Sequence, residues 1–117
     1  MSVLKQKSFA FALRIVKLSK HLQETKREYV LSKQVLRSGT AVGALVREAE
    51  HAESKADFIH KLAIAQKEAN ESHYWLELLQ QSSYIDRVAF ESIEADCIEC
   101  LKLLTSIIKT SKTNVNN

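Results

Sequence analysis

No proline occurs anywhere in these 117 residues, and glycine occurs only at Gly39 and Gly43. A chain this poor in residues that fix φ or tolerate positive φ cannot supply the many tight turns of an all-β domain. Leu, Ala, Lys and Glu are abundant, which favours helix over strand. Apolar residues make up 45% of the sequence and charged residues 26%, enough for one genuine core and a hydrated surface. The length fits a single domain spanning residues 1–117. The expected fold class is all-α.

Four amphipathic segments follow from apolar spacings of three and four residues. They predict helices at about 5–24, 30–51, 54–82 and 87–110. The first carries Phe11, Ile15, Leu18 and Leu22 on one stripe. The second carries Leu31, Val35, Ser38, Val42, Leu45 and Ala49, a 4,3,4,3,4 rhythm. The third opens at Ser54-Lys55-Ala56-Asp57, a capping box with Asp in place of the usual Glu. Its stripe is Phe58, Leu62, Ala65, Ala69, Ser72, Leu76 and Leu79. Asp86 caps the fourth, which carries Phe90, Cys97, Leu101, Leu104 and Ile108. Alternating 4,3 spacing is the seam of helices packed nearly parallel, and short connections force neighbours to run antiparallel. An antiparallel up-and-down four-helix bundle is therefore expected, with residues 110–117 as a frayed polar tail.

Charge is laid out unevenly. Residues 1–47 hold ten Lys/Arg against two Asp/Glu, a net of +8, whereas residues 48–99 hold four against twelve, a net of −8. Either the basic half meets an outside polyanion, or it is neutralised by the acidic half of the same or a neighbouring chain. On a helical wheel Lys7, Arg14, Lys17, Lys20 and His21 fill the arc of the first helix left by its apolar residues. That apolar surface exceeds half the circumference, because Phe9, Ala12, Leu13 and Val16 extend the main stripe. Ile64, Trp75 and Leu78 form a second set on the third helix. Such flanks predict burial against further copies of the chain, or else a wider monomer core.

No stretch reaches the roughly 20 apolar residues needed to span a bilayer. Arg14 and Lys17 interrupt the only segment that superficially looks like a signal peptide. The expected compartment is the cytoplasm, with no membrane partner. Cys97-Ile98-Glu99-Cys100 is a CxxC inside a helix rather than at a helix start, so buried small apolar residues account for it better than a redox dithiol or a zinc site. Glu48-Ala49-Glu50-His51 has the Glu-x-x-His spacing of di-iron bundles. It lies with Asp57-Phe58-Ile59-His60 beside one turn, at the wrong end for a mid-bundle site. No metal or other cofactor is expected. No Ser or Cys nucleophile stands in a recognisable motif with a His base, so no enzymatic activity is expected. The small side chains of Arg37-Ser38-Gly39-Thr40-Ala41-Val42-Gly43-Ala44 allow close helix approach. Arg37 and Glu48 share one side of the second helix, while Glu68 and Glu71 share a side of the third with Trp75. With Arg47, they form either a polar site or ion pairs that fix register.

Arg37-Ser38-Gly39-Thr40-Ala41-Val42-Gly43 and Arg47-Glu48-Ala49 resemble the second-helix signature of the bacterial four-helix-bundle family named after 23S rRNA intervening sequences. Residues from Glu53-Ser54-Lys55-Ala56-Asp57-Phe58-Ile59-His60-Lys61-Leu62 through Ile64-Ala65, Lys67-Glu68-Ala69-Asn70-Glu71 and Tyr74-Trp75-Leu76 resemble its third helix. The resemblance covers nearly the whole chain and implies a ring-shaped homopentamer. The family is similar to the accessory variability protein of diversity-generating retroelements, which implies RNA or DNA and a reverse transcriptase as partners. Leu45 departs from the Asn common in the family, which weakens any polar site that amide would serve.

Together these features lead to a non-enzymatic homo-oligomer that associates with RNA or a ribonucleoprotein. Its candidate phosphate contacts are Lys7, Arg14, Lys17 and Lys20, multiplied by symmetry. Phe9, Val16, Ile64, Trp75 and Leu78 are the candidate apolar interface. The competing expectation is an assembly scaffold with no nucleic-acid role, in which the basic arc faces acidic side chains.

Overall fold

The computed structural model describes residues 1–116, and every regular element in that range is helical: α1 Ser2–Glu24, α2 Leu31–Glu50, α3 Lys55–Gln81 and α4 Arg87–Asn116. The helices pack side by side in a body of 51 × 22 × 19 Å. Each touches two neighbours in the cycle α1–α2–α3–α4, and the α1–α4 seam is the most open of the four. Side-chain contacts fix the antiparallel sense. Lys5 reaches Glu50 at one end of the α1–α2 pair, and the Ser19 hydroxyl donates to the Ser32 carbonyl toward the other.

The helices are longer at the chain ends than the spacing predicts. α1 starts at Ser2 because Leu4 is fully buried and anchors the first turn. α4 continues to Asn116 where a frayed tail is expected from residue 110. No Gly or Pro stops it, and Ile108 packs into the core just before that stretch. Asn117, the end of that expected tail, lies outside the described residues.

The third stripe is buried as read from Leu62 to Leu79, with Phe58 only half-buried. On α2 the buried line is Ser32, Val35, Ser38, Gly39, Val42, Val46 and Ala49, so Leu31 and Leu45 sit at its edge. On α4 the core takes Ile93, Cys97, Cys100, Leu104 and Ile108, with Phe90 and Leu101 flanking. Each large apolar side chain buried in this way contributes about 1.5–3 kcal/mol before entropy is counted. Serines share the core because each hydroxyl finds a partner there. The Ser72 hydroxyl stands 2.9 Å from that of Ser38, and Ser8 donates to the Lys5 carbonyl.

Two glycines set the α1–α2 distance. A β-carbon on Gly39 would come within 2.7 Å of the Ile15 side chain, whereas one on Gly43 would stand 3.4 Å from the Ser8 carbonyl oxygen. The connections, by contrast, use no glycine. Arg27 (φ 56) and Ser83 (φ 68) take the left-handed conformation themselves. The Ser83 turn is held by Ser83 N–H to Gln80 O at 3.0 Å and Tyr84 N–H to Leu79 O at 2.9 Å, a Schellman closure.

Caps complete the helix starts. Ser54 Oγ accepts from Asp57 N–H at 3.0 Å, while the Asp57 carboxylate accepts from Glu53 N–H, one residue earlier than in the usual box. Asp86 Oδ1 accepts from Ala89 N–H at 2.8 Å. Glu28 caps α2 from two residues upstream, accepting from Ser32 N–H at 2.8 Å and Val30 N–H at 3.3 Å. Burial opposes the Glu28 charge, but the N–H groups of Ser32, Leu31 and Val30 and the Ser32 hydroxyl outweigh it and hold the carboxyl below its ordinary value.

Gly39→Ala should destabilise the fold by about 1–3 kcal/mol through overpacking against the buried Ile15. Gly43→Ala should be neutral or stabilise by up to about 1 kcal/mol from helix propensity. Urea midpoints of the two variants check this, and equal losses at both sites would contradict the packing account. Glu28→Gln should cost about 1 kcal/mol at neutral pH through the weakened cap. A carboxyl held low in the folded state stabilises above its unfolded pKa, and that contribution disappears as pH falls through the folded value. The midpoints of the wild type and of Glu28→Gln should therefore converge in acid; a constant gap would remove the cap from the account.

Candidate nucleic-acid interface

One antiparallel register governs the basic arc of α1. Lys7 lies beside Glu99 of α4 at 3.4 Å. Two turns further, Arg14 is bound by the Asp96 carboxylate at 2.9 Å, the Ser92 carbonyl at 3.1 Å and the Ser92 hydroxyl at 3.0 Å. The same register then brings Lys17 toward Ala89 and His21 toward Ile85, where the one carboxylate, Asp86, is engaged as the cap of α4. Lys17 and Lys20 are exposed and form no ion pair among the described residues. The four candidate phosphate contacts are thus divided. Lys7 and Arg14 hold α4, and Lys17 and Lys20 face solvent.

Lys17 and Lys20 have company that wheel analysis of α1 alone could not show. Lys26 and Arg27 in the α1–α2 link and Lys33 in the first turn of α2 are also exposed and without ion pairs among the described residues. Five cations therefore collect at one end of the bundle. Of the nearby carboxylates, Glu28 and Asp86 are engaged at helix starts and Glu91 pairs with Arg87 at 3.2 Å. Glu24 is the remaining acid on α1.

The polar candidates lie on the α2–α3 side. Arg37 bridges Glu68, at 2.8 Å, and Glu71. The Trp75 indole N–H donates to Glu71 at 3.0 Å. The hydrogen bond from Trp75 and the Arg37 guanidinium overcome the desolvation of Glu71 and hold its carboxyl low. The hydrogen bonds that Arg37 donates to Glu71 and Glu68 raise its own value in turn. Glu48 does not join this group; it pairs with Lys61 at 3.2 Å. Arg47 lies over the Phe9 ring at 5.2 Å. Arg37, half-exposed in this grouping, is worth about 1 kcal/mol or less to stability. Such pairs set register more than they stabilise, and Leu45 in the adjoining seam is half-buried with no polar group to add.

The apolar candidates also divide. Phe9 and Val16 are 50% and 38% exposed, with Leu13 at 50% beside them. Ile64, Trp75 and Leu78 are half-buried, and Trp75 packs onto the monomer core. Both thiols are buried and free, and Cys97 Sγ donates to the Ala69 carbonyl at 3.3 Å. Desolvation first, then neighbouring negative charge, pushes Cys97 up to about 12 and Cys100 up to about 11, so neither is a poised nucleophile. Among the described residues no three His, Cys, Asp or Glu side chains gather as metal ligands, and no helix is long and apolar enough to cross a membrane.

These features define an all-α up-and-down four-helix bundle protein whose distinguishing surface is a cationic end. Residues 2–106 match the 23S rRNA-intervening sequence protein family, and the chain belongs to that family. It is 59% identical to a protein of unknown function from the S23 ribosomal protein family of Bacteroides thetaiotaomicron VPI-5482, whose crystal structure was solved at 1.70 Å. The likeness covers 91% of this chain and 98% of that one, with a TM-score of 0.90. No functionally curated protein matches the chain.

Proposed function

We propose that this protein is a non-enzymatic homo-oligomer that associates with RNA, alone or in a ribonucleoprotein, through the cationic end of each bundle. The observation that carries the reading is the set Lys17, Lys20, Lys26, Arg27 and Lys33, none of which is neutralised within the chain among the described residues. Unpaired lysines and arginines on one surface displace counterions from phosphates, and symmetry multiplies their field. The membership in a family named for an rRNA intervening sequence agrees with an RNA partner. Self-association is supported by the exposed strip Phe9, Leu13 and Val16 on α1, continued by the small residues Thr40 and Ala44 on α2. The family resemblance points to five copies in a ring.

A second reading, an assembly scaffold without nucleic acid, is favoured by a specific observation as well. Lys7 and Arg14 are neutralised by Glu99 and Asp96, so half of the expected basic arc serves α1–α4 packing.

Fluorescence anisotropy with a labelled single-stranded RNA should give binding whose log K falls steeply with log salt, at about −0.7 per phosphate neutralised. Lys17→Glu with Lys20→Glu should weaken binding at least tenfold and flatten the slope. An RNA that does not bind at low ionic strength, or a slope the reversals leave unchanged, favours the scaffold instead. Self-association has its own measurement. Sedimentation of the wild type should show a concentration-stable oligomer, and Phe9→Glu with Val16→Glu should convert it to a folded monomer. A wild-type monomer at micromolar concentration would refute the assembled form.

A further inference from the structure

The open α1–α4 seam ends in a cleft at the cationic end. A cavity of about 640 Å³ lies there, within the size range of small-molecule sites. Lys17 and His21 of α1, with Lys26 of the α1–α2 link, form one side of it. Leu18, Ile85 and Ala89 give it an apolar floor, and Ser83 and Tyr84 of the α3–α4 link close the far wall. The floor continues along the seam into a second hollow of about 290 Å³ bordered by Arg14 and Ile93.

Three properties of this cleft go beyond a basic surface. First, its basic side chains are uncommitted: Lys17, His21 and Lys26 make no ion pair among the described residues. Its one carboxylate, Asp86, already accepts the Ala89 N–H through Oδ1. Second, the far wall is fixed. Ser83 is held at φ 68 by the two backbone hydrogen bonds of its turn, and Tyr84 is half-buried against the core. The Ser83 hydroxyl makes no hydrogen bond among the described residues, so it stands as a donor or acceptor at the cavity wall. Third, cations and apolar floor lie side by side within one concavity. Lysine ammonium groups bind phosphate as point charges, and a flat apolar floor beside an aromatic ring suits a nucleobase.

We propose that this cleft is a binding site for a nucleoside phosphate monoester, presented as the phosphorylated end of an RNA chain. The phosphate lies among Lys17, His21 and Lys26, and the base rests over Leu18, Ile85 and Ala89 with Tyr84 beside it. The ligand chemistry follows from the cleft itself, while the choice of an RNA end as its source rests on the RNA reading above. Backbone phosphates inside a strand carry one charge each and are flanked by sugar on both sides. A terminal phosphate carries more charge and has a free side, which a concavity walled by Ser83 and Tyr84 distinguishes better than a flat surface does.

Isothermal titration of the full-length protein with AMP, adenosine and inorganic phosphate tests the ligand chemistry. Anisotropy with one RNA oligomer bearing either a 5′-phosphate or a 5′-hydroxyl tests its source. AMP should bind at least tenfold tighter than adenosine, and the phosphorylated oligomer at least fivefold tighter than its hydroxyl counterpart. His21→Gln with Lys26→Gln, both exposed positions, should reduce each ratio to near one while leaving the helical content unchanged. AMP binding with no preference between the oligomers also supports the site and assigns it to free nucleotides. AMP binding no tighter than adenosine, or ratios untouched by the two substitutions, overturns the proposal. That failure is distinct from failure of the RNA reading. RNA that still binds in a manner sensitive to Lys20 reversal leaves the reading standing without the cleft, and AMP binding without RNA binding leaves the cleft standing without the reading.

Discussion

At Gly39 the backbone of α2 runs so close to α1 that a β-carbon would sit 2.7 Å from the Ile15 side chain, and the rest of the bundle is arranged around that approach. With Gly43 against the Ser8 carbonyl one turn on, α1 is drawn onto α2 along most of its length. Interiors are packed to near-crystalline density, so the space between α1 and its other neighbour must be filled by side chains or left to solvent. The side chains available between α1 and α4 are long and charged at Lys7 and Arg14, and small at Ala89. That seam is therefore bridged by polar contacts at its middle and left open at its mouth.

The antiparallel register of the same seam decides which positive charges remain available. Acidic residues of α4 stand at Asp96 and Glu99, opposite Arg14 and Lys7, and the last stretch opposite α1 is Ile85 to Ala89, whose one carboxylate, Asp86, caps α4. Neutralisation therefore stops partway along α1, and beyond that point its cations join those of the α1–α2 link. The +8 and −8 halves of the sequence are thus partly matched against each other and partly segregated. The two readings of that asymmetry are not exclusive, since the matched portion assembles the fold and the unmatched portion gathers at one end. Surface pairs of this kind contribute little to stability, so the segregation costs the fold little.

What was legible in the sequence followed from periodicity and local chemistry. The α3 stripe, the Ser54 and Asp86 caps and the close approach of the glycine-containing face of α2 all express rules that operate within a few residues. The departures come from partners distant along the chain and from local hydrogen bonds that an apolar pattern does not show. Val46 displaces Leu45 from the core of α2 because the helix is turned toward α1 by its glycines. Ser8, Ser19 and Ser32 are buried because carbonyls of their own helix, a neighbouring helix or the α1–α2 link satisfy their hydroxyls, which no polarity pattern announces. Glu28 reaches its cap from outside the positions where caps are sought, and Arg27 and Ser83 adopt turns usually given to glycine. On the wheel of α1, Lys7, Arg14, Lys17 and Lys20 look equivalent. Only the placement of α4 separates them.

α1 therefore presents three sectors with different chemistry. Its core stripe holds Leu4, Phe11, Ile15 and Leu22. The sector beside α2 carries exposed Phe9, Leu13 and Val16, with Arg47 laid over the Phe9 ring. The sector beside α4 carries the polar bridges and then the open cleft. Because helical residues on opposite sectors do not share contacts, changes on the two outer faces should act independently. Assembly through the Phe9 sector would leave the cleft of every copy open and would repeat its cations around the symmetry axis. On the proposed assembly and anion binding, the two could be altered one at a time, which a site formed between copies would not permit. That independence would follow from the angular separation of the two faces on a single helix.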